Sequence, residues 1–315
     1  RGWGFREGRT CMWQWSGGGV LNKGLTPEEI NPLFDFLLSL DSEGEAVCIC
    51  LDLMAMYSHG QYEILNNFLP QIKIIAEKYI AVGKTNRNGM DEYYFQEIIK
   101  YFLDQGKNNA DAKEIAFILS QNIAKYADKI KGDLVNPIMP KLLSEFSEVS
   151  WQFIGKAIVS DKKTTWKFEG LLSDKYSFGE KQEPAILSLP EDVLFSWCHA
   201  NQEIAPAFTA AVIPVLTSQN PQDKDIMLHP ILLKLLNEFG HREDVLIAIS
   251  CNVGTYGWSG SRTSYYKLYE EPFKSLENHP IKQVRFWAQK MIQDLGLQKD
   301  AAQEQDDEQD AHWLV

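Results

Sequence analysis

Asp111–Lys131, DAKEIAFILSQNIAKYADKIK, carries the clearest periodicity in the chain. Ile115, Leu119, Ile123, Tyr126 and Ile130 recur at spacings of four and three, which lines them up along one side of a 3.6-residue helix. A half-buried strand would need apolar residues at every second position, and the segment has no such alternation. Gly132 follows as a helix stop. The same rhythm extends upstream. Thr26-Pro27-Glu28-Glu29 combines a hydroxyl cap, a proline at the first position and acids in the first turn, all signals of a helix start. It predicts a helix to about Leu40. The next is expected over Glu45–His59, apolar on nearly all faces and therefore internal. Further helices are expected over Tyr62–Val82, interrupted by Pro70, and over Asp91–Gln105, closed by Gly106.

Downstream, helices fit Pro137–Phe146, Val149–Ser160 and Thr165–Leu172. Ser173 to Leu187 breaks the rhythm with Gly179, Pro184 and several charges, and reads as a loop between two helical halves, 26–172 and 188–297. The second half predicts helices over Pro190–His199, Ile204–Leu216, Met227–Phe239, Arg242–Val253, Ser264–Asn278 and Pro280–Leu295. Grouped in pairs they repeat at roughly 37 residues, between the tetratricopeptide and HEAT/armadillo periods. Residues 1–25 hold Trp3, Trp13 and Trp15 beside Gly17, Gly18 and Gly19, and read as a loop or short hairpin. Residues 298–315 read as an acidic tail, disordered or lightly docked, because charge is high and apolar groups are few. The expected fold is all-α, an irregular α-solenoid of antiparallel helix pairs with little or no sheet.

Pro280, Val284-Arg285, Ala288, Ile292 and Leu295-Gly296 resemble the second helix of a HEAT repeat, and Pro272 resembles the proline within the first. The Pro-to-Val spacing is longer than is usual there. Leu189-Pro190-Glu191-Asp192, Trp197-Cys198-His199-Ala200-Asn201, Glu238-Phe239-Gly240 and Trp258-Ser259-Gly260-Ser261 are similar to the C-terminal helical region of large, mostly uncharacterised bacterial proteins. That resemblance implies a non-catalytic part of a multidomain protein, in a defence or nucleotide-switch system. The chain opens at Arg1 without a methionine and reads as cut from something longer.

The formal net charge is −12, from 31 basic and 43 acidic residues. A phosphate backbone is repelled by such an average field, so no duplex nucleic acid is expected as a partner. No run approaches the ~18 apolar residues of a membrane span. Five cysteines at irregular spacings, with no C-x-x-C pair, fit buried thiols in a reducing compartment and point to the cytoplasm. The six histidines show no H-x3-H pair, so no metal is expected.

No catalytic constellation emerges, and no cofactor is expected. Gly83-Lys84-Thr85 ends like a phosphate loop, but Lys78 stands where the first glycine is required. Gly19 and Gly24 have the right spacing, but Leu25 replaces the lysine. Gly257-Trp258-Ser259-Gly260-Ser261 lacks the last glycine of a nucleophile elbow, and Gln14-Trp15-Ser16-Gly17-Gly18 lacks the first. Cys198 and His199 are sequence neighbours, so on a helix their side chains diverge. Glu28-Glu29, Asp91-Glu92 and Glu191-Asp192 sit in first helical turns, where they complement the helix dipole. Lys162-Lys163 with Trp166-Lys167 is the largest basic-aromatic cluster and reads as a solvated patch.

The segment CNVGTYGWSGSRTSYY, Cys251 to Tyr266, stands apart. It joins two helices with a long connection rich in Tyr, Trp, Ser and Arg, a composition typical of binding surfaces. Tyr256, Trp258, Ser259, Ser261, Arg262, Tyr265 and Tyr266 are its candidate binding residues, with an inward-packed plug as the competing account. The expected function is a non-enzymatic helical-repeat module, a scaffold or sensor that binds a protein partner. The alternatives are a helical arm of an NTPase or defence effector with its catalytic domain upstream, and a HEAT-like DNA-repair enzyme.

Overall fold

The computed structural model describes residues 25–40, 44–58, 61–82, 89–130, 132–162, 165–173, 183–218, 226–253 and 262–313. Of these, 78% are helical. They fall into two compact units, one within residues 1–171 with 188–190, the other within 172–187 with 191–315.

The first unit contains α1 (Pro27–Ser39), α2 (Glu45–Tyr57), a 3-10 segment (Tyr62–Phe68), α3 (Leu69–Lys78), α4 (Gly89–Leu103) and α5 (Ala110–Tyr126). It continues through α6 (Gly132–Val135), α7 (Met139–Glu145), α8 (Ser147–Ser160) and α9 (Trp166–Leu172). Thr26 caps α1 in extended geometry, Pro27 opens the first turn, and the Glu29 carboxylate accepts the Thr26 N–H at 2.8 Å. α2 is buried on nearly every side, as its composition required. Pro70 does not interrupt a helix; it opens one, because a missing N–H costs nothing in a first turn. The residues before it wind as a 3-10 helix instead. Asn109 caps α5, accepting from the Asp111 and Ala112 amides at 2.8 and 3.0 Å. The helix ends at Tyr126, earlier than its periodicity suggested, and Ile130 is buried from the turns that follow. Gly132 starts a further short helix rather than ending the previous one.

The second unit contains α10 (Glu191–Ala200), α11 (Ala205–Val212), α12 (Pro230–Phe239), α13 (Glu243–Asn252), α14 (Arg262–Lys274) and α15 (Lys282–Trp313). Two short strands, β1 (Leu216–Ser218) and β2 (Ile226–Leu228), pair antiparallel with Leu216 opposite Leu228. The expected helices over Ile204–Leu216 and Met227–Phe239 are therefore both too long. Pro214 forces Ile213 into extended backbone, and Pro230 does the same to His229.

Within each unit, side-chain bonds recur at nearly one sequence separation. In the first, Gln71 donates to Asp35 and Lys78 to the Leu38 carbonyl, 36 and 40 residues away, which sets α1 and α3 parallel. Tyr62 donates to Glu97 and Asn66 to Tyr101, each 35 residues away. In the second, His199 meets Glu238 and Arg242 donates to the Glu203 carbonyl, each at a separation of 39. Asn252 donates to the Ile213 carbonyl at the same separation. α11, α13 and α15 start at Ala205, Glu243 and Lys282, intervals of 38 and 39 residues. Helices one interval apart thus lie side by side, pointing the same way.

The C-terminal segment departs most from expectation. Residues 298–313 continue α15 as helix. Ala302 is buried, Lys299 reaches Glu270 at 3.5 Å, and the Thr263 hydroxyl donates to Asp306 at 3.2 Å. With Phe273 against Trp287, these contacts run antiparallel along α14. Alanine and glutamine supply helix propensity, and α14 supplies the docking surface that a reading ending at Leu295 does not include.

His229 and His279 each precede Pro-Ile, and in each the ring Nδ1 accepts the N–H of the isoleucine, at 3.3 and 3.2 Å. Burial holds both imidazoles below their usual value; Arg285 adds to this at His279, and Glu183 opposes it at His229. A depressed folded-state value means that the unfolded chain binds more protons, so this contribution is complete above the ordinary histidine value of about 6.5 and is lost as pH falls. The melting temperature should therefore drop between about pH 7.5 and 5.5. The paired change His229→Asn and His279→Asn, which keeps an acceptor but does not titrate, should flatten that drop. An unchanged slope in the calorimeter would show that other groups carry it.

Candidate functional site

α13 and α15 build the most distinctive surface of the second unit. Val245, Leu246, Ile249 and Asn252 face inward from α13. The Asn252 amide bonds the Ile213 carbonyl at 2.6 Å and the Ala210 carbonyl at 3.3 Å, fixing the rotation of the helix. Ile247 and Cys251, one turn apart, are consequently exposed. On α15, Val284, Ala288 and Leu295 face inward, and the Trp287 indole donates to Ser250 at 2.8 Å. That rotation leaves Phe286 70% and Leu297 71% exposed. Ile247, itself 54% exposed, and Phe286 are 39 residues apart, the same interval as the helix starts. They therefore occupy equivalent positions on neighbouring helices, as do Cys251 and the exposed Lys290. Large apolar groups in contiguous exposed positions are the usual mark of an interaction surface.

Comparison with family models, curated proteins and solved structures finds no match.

Tyr256, Trp258, Ser259 and Ser261 lie outside the described residues. Arg262, Tyr265 and Tyr266 belong to the first turns of α14, which starts two residues before the expected Ser264. Thr263 is buried at that helix start and tied to Asp306, a contact available only because α15 reaches so far. Gly83-Lys84-Thr85, Gly19 and Gly24 of the two near-miss phosphate loops also lie outside the described residues.

Cys198 and His199 do not form a pair. The Cys198 thiol is buried 3.3 Å from the Thr209 hydroxyl, and burial pushes it up to about 11. The His199 ring points elsewhere, 2.8 Å from Glu238. A thiol so raised is mostly un-ionised at neutral pH and a poor nucleophile. Cys50 is likewise pushed up to about 12 by burial, with Asp35 adding to it. Among the described residues no group of three or more His, Cys, Asp or Glu is placed to hold a metal ion. No described helix is long and apolar enough to cross a membrane. Trp166 is exposed and Lys167 lies 3.9 Å from Asp128, while Lys163 is outside the described residues.

Ile247, Phe286 and Leu297 were not among the residues singled out from the sequence, and Cys251, expected as a buried thiol, is exposed. A signal was present. Phe286 and Leu297 each stand two positions beyond a core residue, Val284 and Leu295, and so fall outside the apolar line of their own helix.

Proposed function

We propose that this chain is a non-enzymatic helical-repeat module, an irregular HEAT-like solenoid, that binds a protein partner through the outward side of α13 and α15. The observation that carries this reading is the pair Ile247 and Phe286, large apolar side chains exposed at equivalent positions of successive repeats. Repeat stacking supplies extended surfaces of this kind without any reacting group. The recurring separation of about 35–43 residues between bonded side chains supports the repeat assignment. A protein partner fits better than nucleic acid. Glu243 and Asp244 precede Ile247, and Asp300 and Glu304 follow Leu297, all exposed acids that would repel phosphate.

The test is a photo-crosslinking residue placed at 247, in the cells that make the protein, with exposed Lys113 as the control position. A discrete protein adduct at 247 and none at 113 is expected. Ile247→Asp should change stability by no more than about 0.5 kcal/mol, since the side chain is outside the core, while competing poorly for the same adduct. Equal labelling at both positions would dispose of the face as a binding site.

A further inference from the structure

The outward side of α15 has a charge order opposite to what a helix favours. Anions belong near a helix N-terminus and cations near its C-terminus. The first turn of α15 holds no acid and carries Lys282 and Arg285. Arg285 is engaged with the carbonyls of His279 and Pro280, at 2.7 and 3.1 Å. Lys282 and Lys290 are exposed. The last turns carry Asp306, Asp307 and Glu308 instead. Directly opposite the buried line of Val284, Leu295 and Ala302 runs an exposed stripe: Lys282, Phe286, Lys290, Gln293, Leu297 and Glu304. Gln293 and the apolar Leu297 stand between its basic half and its acidic half, and Phe286 lies between the two lysines.

Such a stripe is complementary to itself when turned end for end. We propose that a second copy of this chain docks on it, with the two α15 helices antiparallel and the two-fold axis passing beside Gln293. Residue numbers facing one another then sum to roughly twice 293. Lys282 of one copy lies opposite Glu304 of the other, and Asp300 falls between the two lysines. Leu297 enters the hole formed by Phe286, Gln289, Lys290 and Gln293 of its mate, in the manner of knobs-into-holes packing. Each copy's basic N-terminal half meets an acidic C-terminal half, which relieves both unfavourable dipole placements at once. A mate of different sequence would have to reproduce this order in reverse; a second copy carries it already. This rests on the reading of α13 and α15 as a docking face and names the occupant of its α15 edge.

The test is sedimentation velocity on the full chain at low and high salt. Wild type should self-associate, more weakly as salt rises. Phe286→Ser with Leu297→Ser should lower the association constant at least about tenfold with the melting temperature held. Lys282→Glu with Lys290→Glu should weaken association by a similar factor, and so should Asp300→Lys with Glu304→Lys. All four reversals in one chain should restore it, because the antiparallel pairs are then matched again. Restoration is specific to the antiparallel arrangement, since a parallel pair would set like charges together. A wild type that remains monomeric at about 100 µM, a concentration that reveals even weak dimers, overturns the proposal, as does a four-reversal chain that stays dissociated. Neither result touches the adduct expected at position 247, which tests the broader face by itself.

Discussion

Phe68→Ala is expected to cost about 3–5 kcal/mol, the range for removing a fully buried aromatic ring. Phe68 has no exposed surface and stands where the 3-10 segment passes into α3. Its ring meets Phe34 of α1 edge-on at 5.1 Å and Tyr57 of α2 at 5.5 Å. One side chain therefore joins three elements, and each edge-to-face pair adds to the burial itself. The surrounding helices are held by their caps and by the Gln71 to Asp35 bond, so they cannot close fully over the space left behind. At about 2–4 °C per kcal/mol for a unit of this size, the transition of the first unit should fall by roughly 6–20 °C in differential scanning calorimetry. Phe68→Leu should recover more than half of that loss. A shift of only a degree or two for the alanine variant would mean that the three elements are not held through this ring.

Phe273→Ala should cost the second unit a similar ~3–5 kcal/mol, with a further consequence at a distance. Phe273 is fully buried, 5.3 Å from the Trp287 ring and 6.4 Å from Tyr269. It sits where α14 and α15 meet. Beyond it the contacts become sparse and polar: Lys299 to Glu270, Thr263 to Asp306, and the buried methyl of Ala302. An exposed ion pair of this kind contributes at most about 1 kcal/mol, so the far half of α15 depends on the register that Phe273 sets. Amide exchange over Leu295–Asp306 should accelerate in the variant, beyond any change in α10 and α11. Protection retained there, with the melting temperature lowered as expected, would show that the acidic half of α15 docks independently of the aromatic cluster.

The contrast between these two sites shows what was legible in the chain. Helix existence was written locally. The Ile115-Leu119-Ile123 line, the Thr26 capping box and the all-round apolarity of Ala46–Tyr57 each concern residues within a few turns of one another. The predominance of helix follows from that alone. Boundaries were less secure where a proline could act in either direction. Pro70 and Pro230 open helices, while Pro214 closes a segment that then enters a strand.

Other features depended on contacts across about 40 residues, which local periodicity does not carry. The segment after Lys299 has the composition of a solvated tail, and it is helical because Glu270 and Thr263 of α14 meet it. Arg262 and Thr263 precede the helix expected from Ser264, yet they lie in α14, whose start is tied to that same segment. The exposed face required the rotation of α13 and α15 about their own axes. Asn252 and the Trp287–Ser250 bond fix that rotation against neighbouring helices. Local periodicity and end signals were enough to make the chain predominantly helical and to mark residues that line its helices. Which apolar side chains remain in water followed from the packing, because exposure belongs to the packed neighbours of a helix and not to the helix alone.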